Sequence, residues 1–431
     1  SGCAEWYMMY QPDLEDALDA VCQGLSCVDV RPSCTVTGLE QAADGVRVEY
    51  RHGADTQTLT ARFVVGCDGG NSFVRDSLGI GEFDFGFAEP WMVCDFRLAG
   101  GVQPPPARQL GDPRAPTSII SIGLRHHRFS FMLDSPDDFA AASEPDLVWQ
   151  RVAGYLTPGD AELIRVATYT FRSLVADRWR AGNVLLAGDA AHQMPPFLGQ
   201  GMCSGVRDAR NLAFKLGLVL RGAAGPELLD TYQTEREPHV RTVITAGIRL
   251  GRQHTLRDPA AAAERDRAMR AQRQSGGPPA KVRLPDLGPG LLSGRYGLGA
   301  GQLSAHGVVA HDGRQELLDS VTGGGFCLLA EPEAAMALAA GGLDRQLRAA
   351  GVHLVEVVTD GAGGSSPGTG IRVADVSGTY RRWLAELGAS AVAVRPDFYV
   401  YGAAAGPAAA AGLARELLSS VLGVLQPEPA P

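Results

Sequence analysis

The sequence of 431 residues predicts an α/β protein. Apolar runs of strand length, such as residues 184–187, end in glycine-containing turns and lead into segments whose apolar residues recur at helical spacing. A second unit of this kind runs from residue 59 to residue 75. Strands alternate with helices again from residue 325 to residue 422, and the last of these strands is expected over residues 391–402. This alternation is typical of layered folds in which helices cover a sheet.

The composition argues against several classes of protein. Hydrophobic residues make up 45% of the chain and charged residues 20%, as in globular proteins, and the formal net charge is −9. An acidic balance without a block of Lys and Arg argues against a nucleic-acid partner. We find neither an apolar run of transmembrane length nor a signal peptide. We therefore expect no membrane partner and a cytoplasmic location.

The eight cysteines predict reduced thiols. None of them forms a CxxC pair, and several lie inside apolar runs, as buried cysteines of cytosolic proteins do. His and Cys residues do not cluster at the spacing of zinc ligands. The sequence therefore predicts no metal site.

The segment from residue 183 to residue 216 predicts a ligand site. An apolar strand breaks at Gly188-Asp189, a turn rich in Pro and Gly follows from residue 193 to residue 201, and a helix begins there. A carboxylate accepts hydrogen bonds from hydroxyl groups, and glycines at a helix N-terminus let backbone N–H groups approach a planar or anionic ligand. The alternative is an ordinary strand–loop–helix connection with a capping Asp.

This segment also carries a resemblance. The runs Gly188-Asp189-Ala190-Ala191-His192, Pro195-Pro196 and Gly199-Gln200-Gly201-Met202 resemble the second FAD-binding motif of the single-component FAD-dependent aromatic hydroxylases. That superfamily contains para-hydroxybenzoate and phenol hydroxylases, and residues 10–15 are similar to a segment of its hydroxyphenylpropionate-type members. The resemblance implies that Asp189 binds the ribityl chain of FAD. It also implies that Leu198 and Gly199 lie beside the flavin ring.

Two further segments resemble the same family. Asp68-Gly69-x-x-Ser72-x-Val74-Arg75 is similar to its DGxxSxVR motif, and residues 10–15 are similar to a segment whose Gln lies near FAD. Without the resemblance, these segments are a capped helix after a strand and an amphipathic helix. The implied cofactor-binding residues are Gln11, Asp68, Gly188, Asp189, Pro196, Leu198, Gly199, Gln200, Gly201 and Met202.

The resemblance implies four segments in the chain. Residues 1–76 and 179–290 form an FAD-binding Rossmann-like domain with its helices, residues 77–178 an inserted sheet-rich substrate lobe, and residues 291–431 a thioredoxin-like C-terminal domain. A linker is expected at Gly276-Gly277-Pro278-Pro279. We expect no thiol redox role for the C-terminal domain, and packing or a homodimer contact is its default role.

Apolar side chains form the candidate substrate pocket. Pro195 and Phe197, with apolar residues that face inward from the sheet, are the candidate substrate pocket. His126 and His127 are expected in a solvated hairpin turn, and no catalytic residue is identified. Residues 228–238 resemble the YxxER-P segment of the family. We expect them to open a helix that runs to residue 251 and packs against the sheet lobe.

One family motif is missing from the sequence. The GxGxxG turn that binds ADP does not follow any predicted strand of this chain. We expect the corresponding βαβ region to precede residue 1. The alternative is a protein that departs from the family in how it binds FAD.

The resemblance implies a monooxygenase with FAD as cofactor and NAD(P)H and O2 as co-substrates. It would hydroxylate a phenolic or polyketide-type aromatic substrate through a flavin C4a-hydroperoxide. Two alternatives stay open at this point. The same fold also serves epoxidation or Baeyer–Villiger oxidation, and a protein without the ADP-binding turn could be a non-catalytic binding or dimerisation protein.

Overall fold

The computed structural model describes residues 7–43, 45–276, 284–359, 364–366 and 370–422. Most of the linker expected at residues 276–279 therefore lies outside the described residues. The chain forms two compact units, one of residues 204–242 and 284–422 and the other of residues 7–203 and 243–276. The described elements alternate between strands and helices, and the predicted α/β class is confirmed.

The strands of the first 200 residues are β1 (Cys34–Ala42), β2 (Gly45–His52), β3 (Asp55–Ala61), β4 (Val64–Gly66), β5 (Glu82–Leu98), β6 (Arg108–Leu110), β7 (Thr117–Ser121), β8 (His126–Met132), β9 (Ala161–Ala176), β10 (Arg180–Ala181), β11 (Val184–Leu186) and β12 (His192–Gln193). The later strands are β13 (Val308–His311), β14 (Arg314–Leu317), β15 (Phe326–Ala330), β16 (Val352–Val358), β17 (Gly364–Ser366), β18 (Gly370–Asp375), β19 (Ala391–Val394) and β20 (Val400–Ala404).

The helices are α1 (Gln11–Gln23), α2 (Phe73–Ser77), α3 (Phe139–Ala142), α4 (Pro145–Val152), α5 (Gly201–Leu220), α6 (Thr231–His254), α7 (Pro259–Gln274), α8 (Leu318–Thr322), α9 (Pro332–Ala340), α10 (Leu343–Ala349), α11 (Thr379–Leu387) and α12 (Pro407–Leu422). Pro at the first turn begins α4, α7, α9 and α12, where its missing N–H would have no helical partner.

Two small sheets flank the Gly-rich loops. Strands β1, β2 and β3 form an antiparallel meander, and β11 lies between β10 and β4. Strands β11 and β4 are parallel, with Leu186 opposite Gly66. A Cβ atom on Gly66 would lie 2.8 Å from Cβ of Val74. Glycine at this position therefore lets α2 pack directly on β4.

A six-stranded antiparallel sheet occupies residues 82–193. Its order is β12-β9-β5-β8-β7-β6, and the two long strands β5 and β9 pair along their length. One face of the sheet packs against α4, with Met92, Phe96, Phe129 and Val148 in the core between them. Trp91 alternates with Met92 along β5 and therefore lies on the opposite face.

The hairpin between β7 and β8 differs from the prediction. His126 and His127 were expected in a solvated turn, but β8 begins at His126, and His127 has no exposed surface. The ring of His126 stacks on Tyr10 with 3.8 Å between the ring centroids. The strand is longer than the apolar pattern indicates because both histidines continue the pairing with β5.

A second large sheet organises residues 308–404. Its order is β14-β13-β18-β16-β15-β19-β20, β17 pairs with β18, and the central strands β15, β16 and β18 are parallel. Helices α9, α10 and α12 contribute to one buried cluster, and α8 and α11 contribute to another. Helices thus cover both faces of this sheet.

The last strand predicted from the sequence is a hairpin. Residues 391–402 were expected to form one strand, but β19 and β20 pair antiparallel across a turn at residues 395–399. Phe398 has a φ of +67°, which is rare for a residue with a side chain. Apolar residues on both sides of the turn hide it in the sequence.

A buried carboxylate joins α5, α6 and this hairpin turn. Glu235 of α6 has no exposed surface, and its Oε2 lies 2.7 Å from Nζ of Lys215 and 2.7 Å from Nη2 of Arg395. Asn211 of α5 also donates to it. Burial favours a higher pKa for Glu235, but the charges of Arg395 and Lys215 outweigh burial and lower this pKa to about 2.

Replacement of Glu235 by Gln should destabilise the protein strongly. The substitution leaves two buried cations without their shared carboxylate, and we expect the free energy of unfolding in urea to fall by about 3–5 kcal/mol at pH 7. Because the pKa of Glu235 is lower in the folded protein than its ordinary value of 4.5, its contribution is complete above pH 4.5 and is lost as the pH falls toward 2. The difference between the variant and the wild type should therefore narrow below pH 4.5.

The matched control is Glu264→Ala on α7, where the side chain is exposed. This change should alter the free energy of unfolding by less than about 0.5 kcal/mol. A Glu235→Gln protein as stable as this control would show that the buried carboxylate contributes nothing to folding.

Candidate functional site

The loop at Asp68-Gly69 and the loop at Gly188-Asp189 lie at the same edge of one small sheet. Strand β4 leads to Asp68, and strand β11 leads to Asp189. The two strands are adjacent and parallel, so their carboxyl ends meet at one edge. In open α/β sheets, ligands bind in the crevice outside this edge.

The Asp68 loop is organised by its own hydrogen bonds. Ser72 donates its hydroxyl to Oδ1 of Asp68 over 2.6 Å, and the backbone N–H of Val74 donates to Oδ2 over 3.0 Å. The hydroxyl oxygen of Ser72 in turn accepts from N–H of Arg75 and caps α2. Gly69 has a φ of +82°, and a Cβ atom there would meet no atom within 4 Å. The loop therefore presents an open backbone surface.

Two side chains tie the Asp68 loop to the Asp189 loop. Gln193 donates from Nε2 to the carbonyl of Gly70 over 3.0 Å, and Arg75 reaches the carbonyl of Ala190 over 3.4 Å. Arg75 is 5% exposed and also pairs with Glu82. The motif predicted Arg75, whereas Gln193 carried no signal because its partner is a backbone carbonyl 123 residues away.

The Asp189 loop places its residues alternately on the surface and in the interior. Gly188 has a φ of +62°, and Asp189 is exposed while Ala190 is buried. Pro195, Phe197 and Gln200 are buried, Leu198 is half-buried, and Pro196 and Gly199 are exposed. Gly199 has a φ of +60° and donates its N–H to Pro196, so the turn ends where α5 begins at Gly201.

The start of α5 completes this surface. Met202 is 50% exposed, and a Cβ atom on Gly201 would meet no atom nearer than Cγ of Met194 at 3.8 Å. The helix is 20 residues long, and its first N–H groups have no helical acceptor. An exposed carboxylate, a glycine turn and a helix N-terminus together suit a ligand with hydroxyl groups and an electron-rich ring. These residues therefore fit FAD.

Gln11 is placed differently from the other predicted residues. It is exposed at the start of α1, and its Nε2 donates to Glu15 on the same helix over 2.6 Å. No described residue of α1 is buried, although its apolar side chains Leu18 and Val21 follow helical spacing. The amphipathic pattern of this segment therefore predicted the helix but not a covered face.

Aromatic rings surround Phe197. The centroid of its ring lies 5.8 Å from that of Trp91, 6.4 Å from that of Phe171 and 5.6 Å from that of His254. Trp91 and His254 stack with 5.9 Å between their centroids. The sequence predicted Phe197, but it gave no signal for His254, since the helix that carries His254 was expected to end near residue 251.

Glycines of α6 allow the close approach of this helix to the loop. A Cβ atom on Gly251 would lie 2.5 Å from Cε2 of Phe197, and one on Gly247 would lie 3.3 Å from Cγ of Pro195. The two glycines are four residues apart and lie on the same helix face. The pair fixes the distance between α6 and the Pro195–Phe197 segment.

The electrostatics around Phe197 favour an uncharged histidine. His254 is 6% exposed, and burial, aided by Arg265, lowers its pKa to about 4. Nε2 of His254 is buried and has no hydrogen-bond partner among the described residues. Burial raises the pKa of Glu89, although Thr255 and Trp91 donate to its carboxylate. The aromatic cluster thus holds one neutral, unpaired nitrogen.

Three further features concern the described part of the chain: metal sites, membrane-spanning helices and cysteines. Within it, no group of three or more His, Cys, Asp or Glu side chains is arranged to hold a metal ion. No helix there is long and apolar enough to cross a membrane. None of the seven cysteines in the described ranges is joined in a disulfide.

Comparison with protein families gives two matches. Residues 1–100 and 147–246 match the family described as "FAD binding domain", and residues 301–420 match the "HcaD C-terminal domain". The first match contains the Asp68 loop, the Asp189 loop and the start of α6.

Two curated relatives resemble nearly the whole chain. A "Probable NADH-specific resorcinol 4-hydroxylase" of Rhodococcus jostii (strain RHA1) is 46% identical over 429 residues, which is 99% of this chain and 79% of the relative. A "3-(3-hydroxy-phenyl)propionate/3-hydroxycinnamic acid hydroxylase" of Mycolicibacterium gilvum (strain PYR-GCK) is 33% identical over 408 residues, which is 90% of this chain and 70% of the relative.

Two solved structures share the fold. The flavin-dependent monooxygenase PieE in complex with FAD and substrate matches with a TM-score of 0.73 and 23% identity, over 97% of this chain and 80% of that one. Aklavinone-11 hydroxylase in a ternary complex with FAD and aklavinone matches with a TM-score of 0.71 and 25% identity, over 97% and 79% of the two chains.

The extent of these matches establishes the family. Identity of 46% covers the sheet-rich segment and the C-terminal domain as well as the FAD-binding loops. Family membership favours an enzyme over the non-catalytic binding protein that the sequence had left open. FAD is its cofactor, and NAD(P)H is its co-substrate. The chain belongs to the FAD-dependent aromatic hydroxylases.

Proposed function

We propose that this enzyme hydroxylates a small phenol of the resorcinol type and takes its electrons from NADH. The observation that carries the proposal is the 46% identity, over 99% of the chain, with a relative described as an NADH-specific resorcinol 4-hydroxylase. The relatives described as hydroxyphenylpropionate hydroxylases are 32% to 38% identical over 56% to 96% of the chain, and they support a single phenolic ring as the common substrate feature.

The predicted cofactor-binding residues receive distinct roles in this proposal. Asp189 accepts hydrogen bonds from the ribityl hydroxyls, and the backbone around Leu198 and Gly199 lies against the flavin ring. Gly188, Pro196, Gln200, Gly201 and Met202 complete that surface. Asp68 and Gln11 contribute on the phosphate side. When bound, FAD supplies the reducible ring that accepts electrons from NADH and activates O2.

The aromatic cluster is the proposed substrate pocket. Pro195 and Phe197 are held by α6, and Trp91 and Phe171 present rings from the sheet. A pocket lined by such rings would exclude water and accept a flat apolar molecule. Nε2 of His254 is the polar group in the cluster, and a phenolic hydroxyl, which both donates and accepts, matches it in either tautomer.

The finer expectations about organisation are part of the proposal. We propose the division into residues 1–76, 77–178, 179–290 and 291–431, since the two family matches cover the first and last of these segments. Described cysteines that form no disulfide, together with the use of NADH, favour a cytoplasmic location. A homodimer is proposed through the C-terminal domain.

Purified protein loaded with FAD should oxidise NADH faster when resorcinol is added. The expected product is one oxygen atom heavier than resorcinol and carries a third ring hydroxyl. Absorbance measures the rate of NADH oxidation. Mass spectrometry and NMR identify the product. An epoxide or a ring-expanded product would show that the enzyme catalyses epoxidation or Baeyer–Villiger oxidation instead of hydroxylation. Stimulation by larger phenols but not by resorcinol would overturn the substrate proposal.

Substitution of Asp189 by Ala should weaken FAD binding about ten- to hundredfold, because hydrogen bonds to a charged acceptor are lost. Titration of apoprotein with FAD, followed by flavin fluorescence, gives the dissociation constant. Asp146→Ala is the matched control, since Asp146 is exposed at the start of α4. An Asp189→Ala protein that binds FAD as tightly as this control would remove Asp189 from the proposed site.

Substitution of Gly251 by Ala should impair substrate use without loss of FAD. The added methyl group would meet Cε2 of Phe197 at 2.5 Å and displace its ring. Overpacking of this kind typically costs about 1–3 kcal/mol, so we expect kcat/KM for resorcinol to fall about tenfold. Gly154→Ala is the control, because a Cβ atom there meets nothing within 4 Å. Equal kinetics for the two variants would place Phe197 outside the substrate pocket.

A further inference from the structure

The turn between β19 and β20 carries several buried hydrogen bonds and ion pairs. We define the RPD turn as residues Arg395, Pro396, Asp397 and Phe398. Arg395 is fully buried, and all of its N–H groups are engaged. Its Nε and Nη2 donate to Asp397, its Nη1 and Nη2 donate to Glu235, and its Nη1 also donates to the carbonyl of Leu291.

Helix α5 contacts this turn through Arg210 and Asn211, and it contacts Glu235 through Asn211 and Lys215. Asn211 donates from Nδ2 to Asp397 over 2.9 Å and to Glu235 over 2.7 Å, and Nζ of Lys215 donates to Glu235 over 2.7 Å. The residue before Asn211, Arg210, donates from Nη2 to the carbonyl of Pro396 over 2.6 Å. The contacts therefore fix both the rotation of α5 about its axis and its position along that axis.

The backbone of the RPD turn is constrained in the same place. Phe398 has a φ of +67°, and the guanidinium of Arg210 lies 4.7 Å from the centroid of its ring. A side-chain residue in this region of φ is strained and persists only where its surroundings determine it. The N–H of Phe398 donates to Arg395 and that of Arg395 donates to Tyr399, which closes the turn.

Stability alone does not explain such a cluster. Apolar side chains of similar volume often stabilise a protein as well as a buried ion pair or better, because desolvation of the charges offsets their attraction. Buried ionic groups are directional, however, and they hold their partners in one geometry. The cluster is therefore better suited to positioning helices than to adding stability.

Both helices that meet at Glu235 lead to the candidate FAD site. Helix α5 is continuous from Gly201, where the Gly199–Gly201 turn ends, and Asn211 lies ten residues along it. Helix α6 is continuous from Glu235 to Gly251, which contacts Phe197. A rigid helix transmits a shift at one end to the other, and misplacement by about 1 Å can cost two orders of magnitude in rate.

We propose that the RPD turn is a positioning element for FAD: Arg395 and Asp397 set the register of α5 and thereby the placement of the turn at residues 199–201. This inference rests on the proposed role of that turn in binding FAD. The two hypotheses are tested by different variants. Asp189→Ala tests whether the proposed site binds FAD, and variants of Arg395 test whether the RPD turn positions that site.

The test is Arg395→Lys in the full chain. Lysine keeps the charge, but its single ammonium group cannot bridge two carboxylates as the planar guanidinium does. The control is Leu384→Ala on α11, a buried residue of the other core cluster of the same region, which carries none of the contacts of the RPD turn. Urea unfolding compares the stability of the two variants, and FAD titrations are made where both are folded by circular dichroism.

We expect Arg395→Lys to raise the dissociation constant of FAD about tenfold and to increase the NADH consumed per product formed. Leu384→Ala should leave the dissociation constant within about twofold of the wild type. An unchanged dissociation constant for Arg395→Lys, or an equal rise for Leu384→Ala, would reduce the RPD turn to a stabilising contact. If Arg395→Lys does not fold, Asp397→Asn, which keeps the shape of the turn, is judged by the same two outcomes.

Discussion

The carboxylate of Glu235 is the contact on which the arrangement of the helices depends. It has no exposed surface, and it receives hydrogen bonds from Arg395, Lys215, Asn211 and the backbone of Leu291. Two cations around one carboxylate would be unfavourable in the interior if Asp397 did not supply a second negative charge. Because these groups come from α5, α6 and the β19–β20 hairpin, the ionic balance exists only when all three are in place.

The candidate FAD site depends on a different constraint, the parallel pairing of β4 and β11. This pairing brings Asp68 and Asp189, which are 121 positions apart in sequence, to the same edge of a sheet. Arg75 and Gln193 then tie the two loops through backbone carbonyls. The Asp68 loop is also the capped start of α2, because Ser72 donates to Asp68 and accepts from the N–H of Arg75.

Sequence reasoning reached the Asp189 loop because all of its residues are contiguous. Glycines at positive φ, prolines and a following helix are local features, and local features are visible in a sequence. It did not reach His254 or the partners of Glu235. His254 stacks on Trp91, and Glu235 pairs with Arg395, and the residues of each pair are more than a hundred positions apart in sequence. Likewise, the apolar residues on both sides of residues 395–399 conceal a turn that buried charges stabilise.

The sequence by itself determined the α/β class, the motifs at Asp68-Gly69 and Gly188-Asp189, and the family that these motifs indicate. Periodicity and short motifs are properties of neighbouring residues. The tertiary structure alone decided which face of each strand is covered, how closely α6 approaches Phe197 through Gly251, and that Arg395 pairs with Glu235. The physical reason is that burial and ion pairing depend on distances between elements. Such distances are fixed only when the sheets and helices pack against one another.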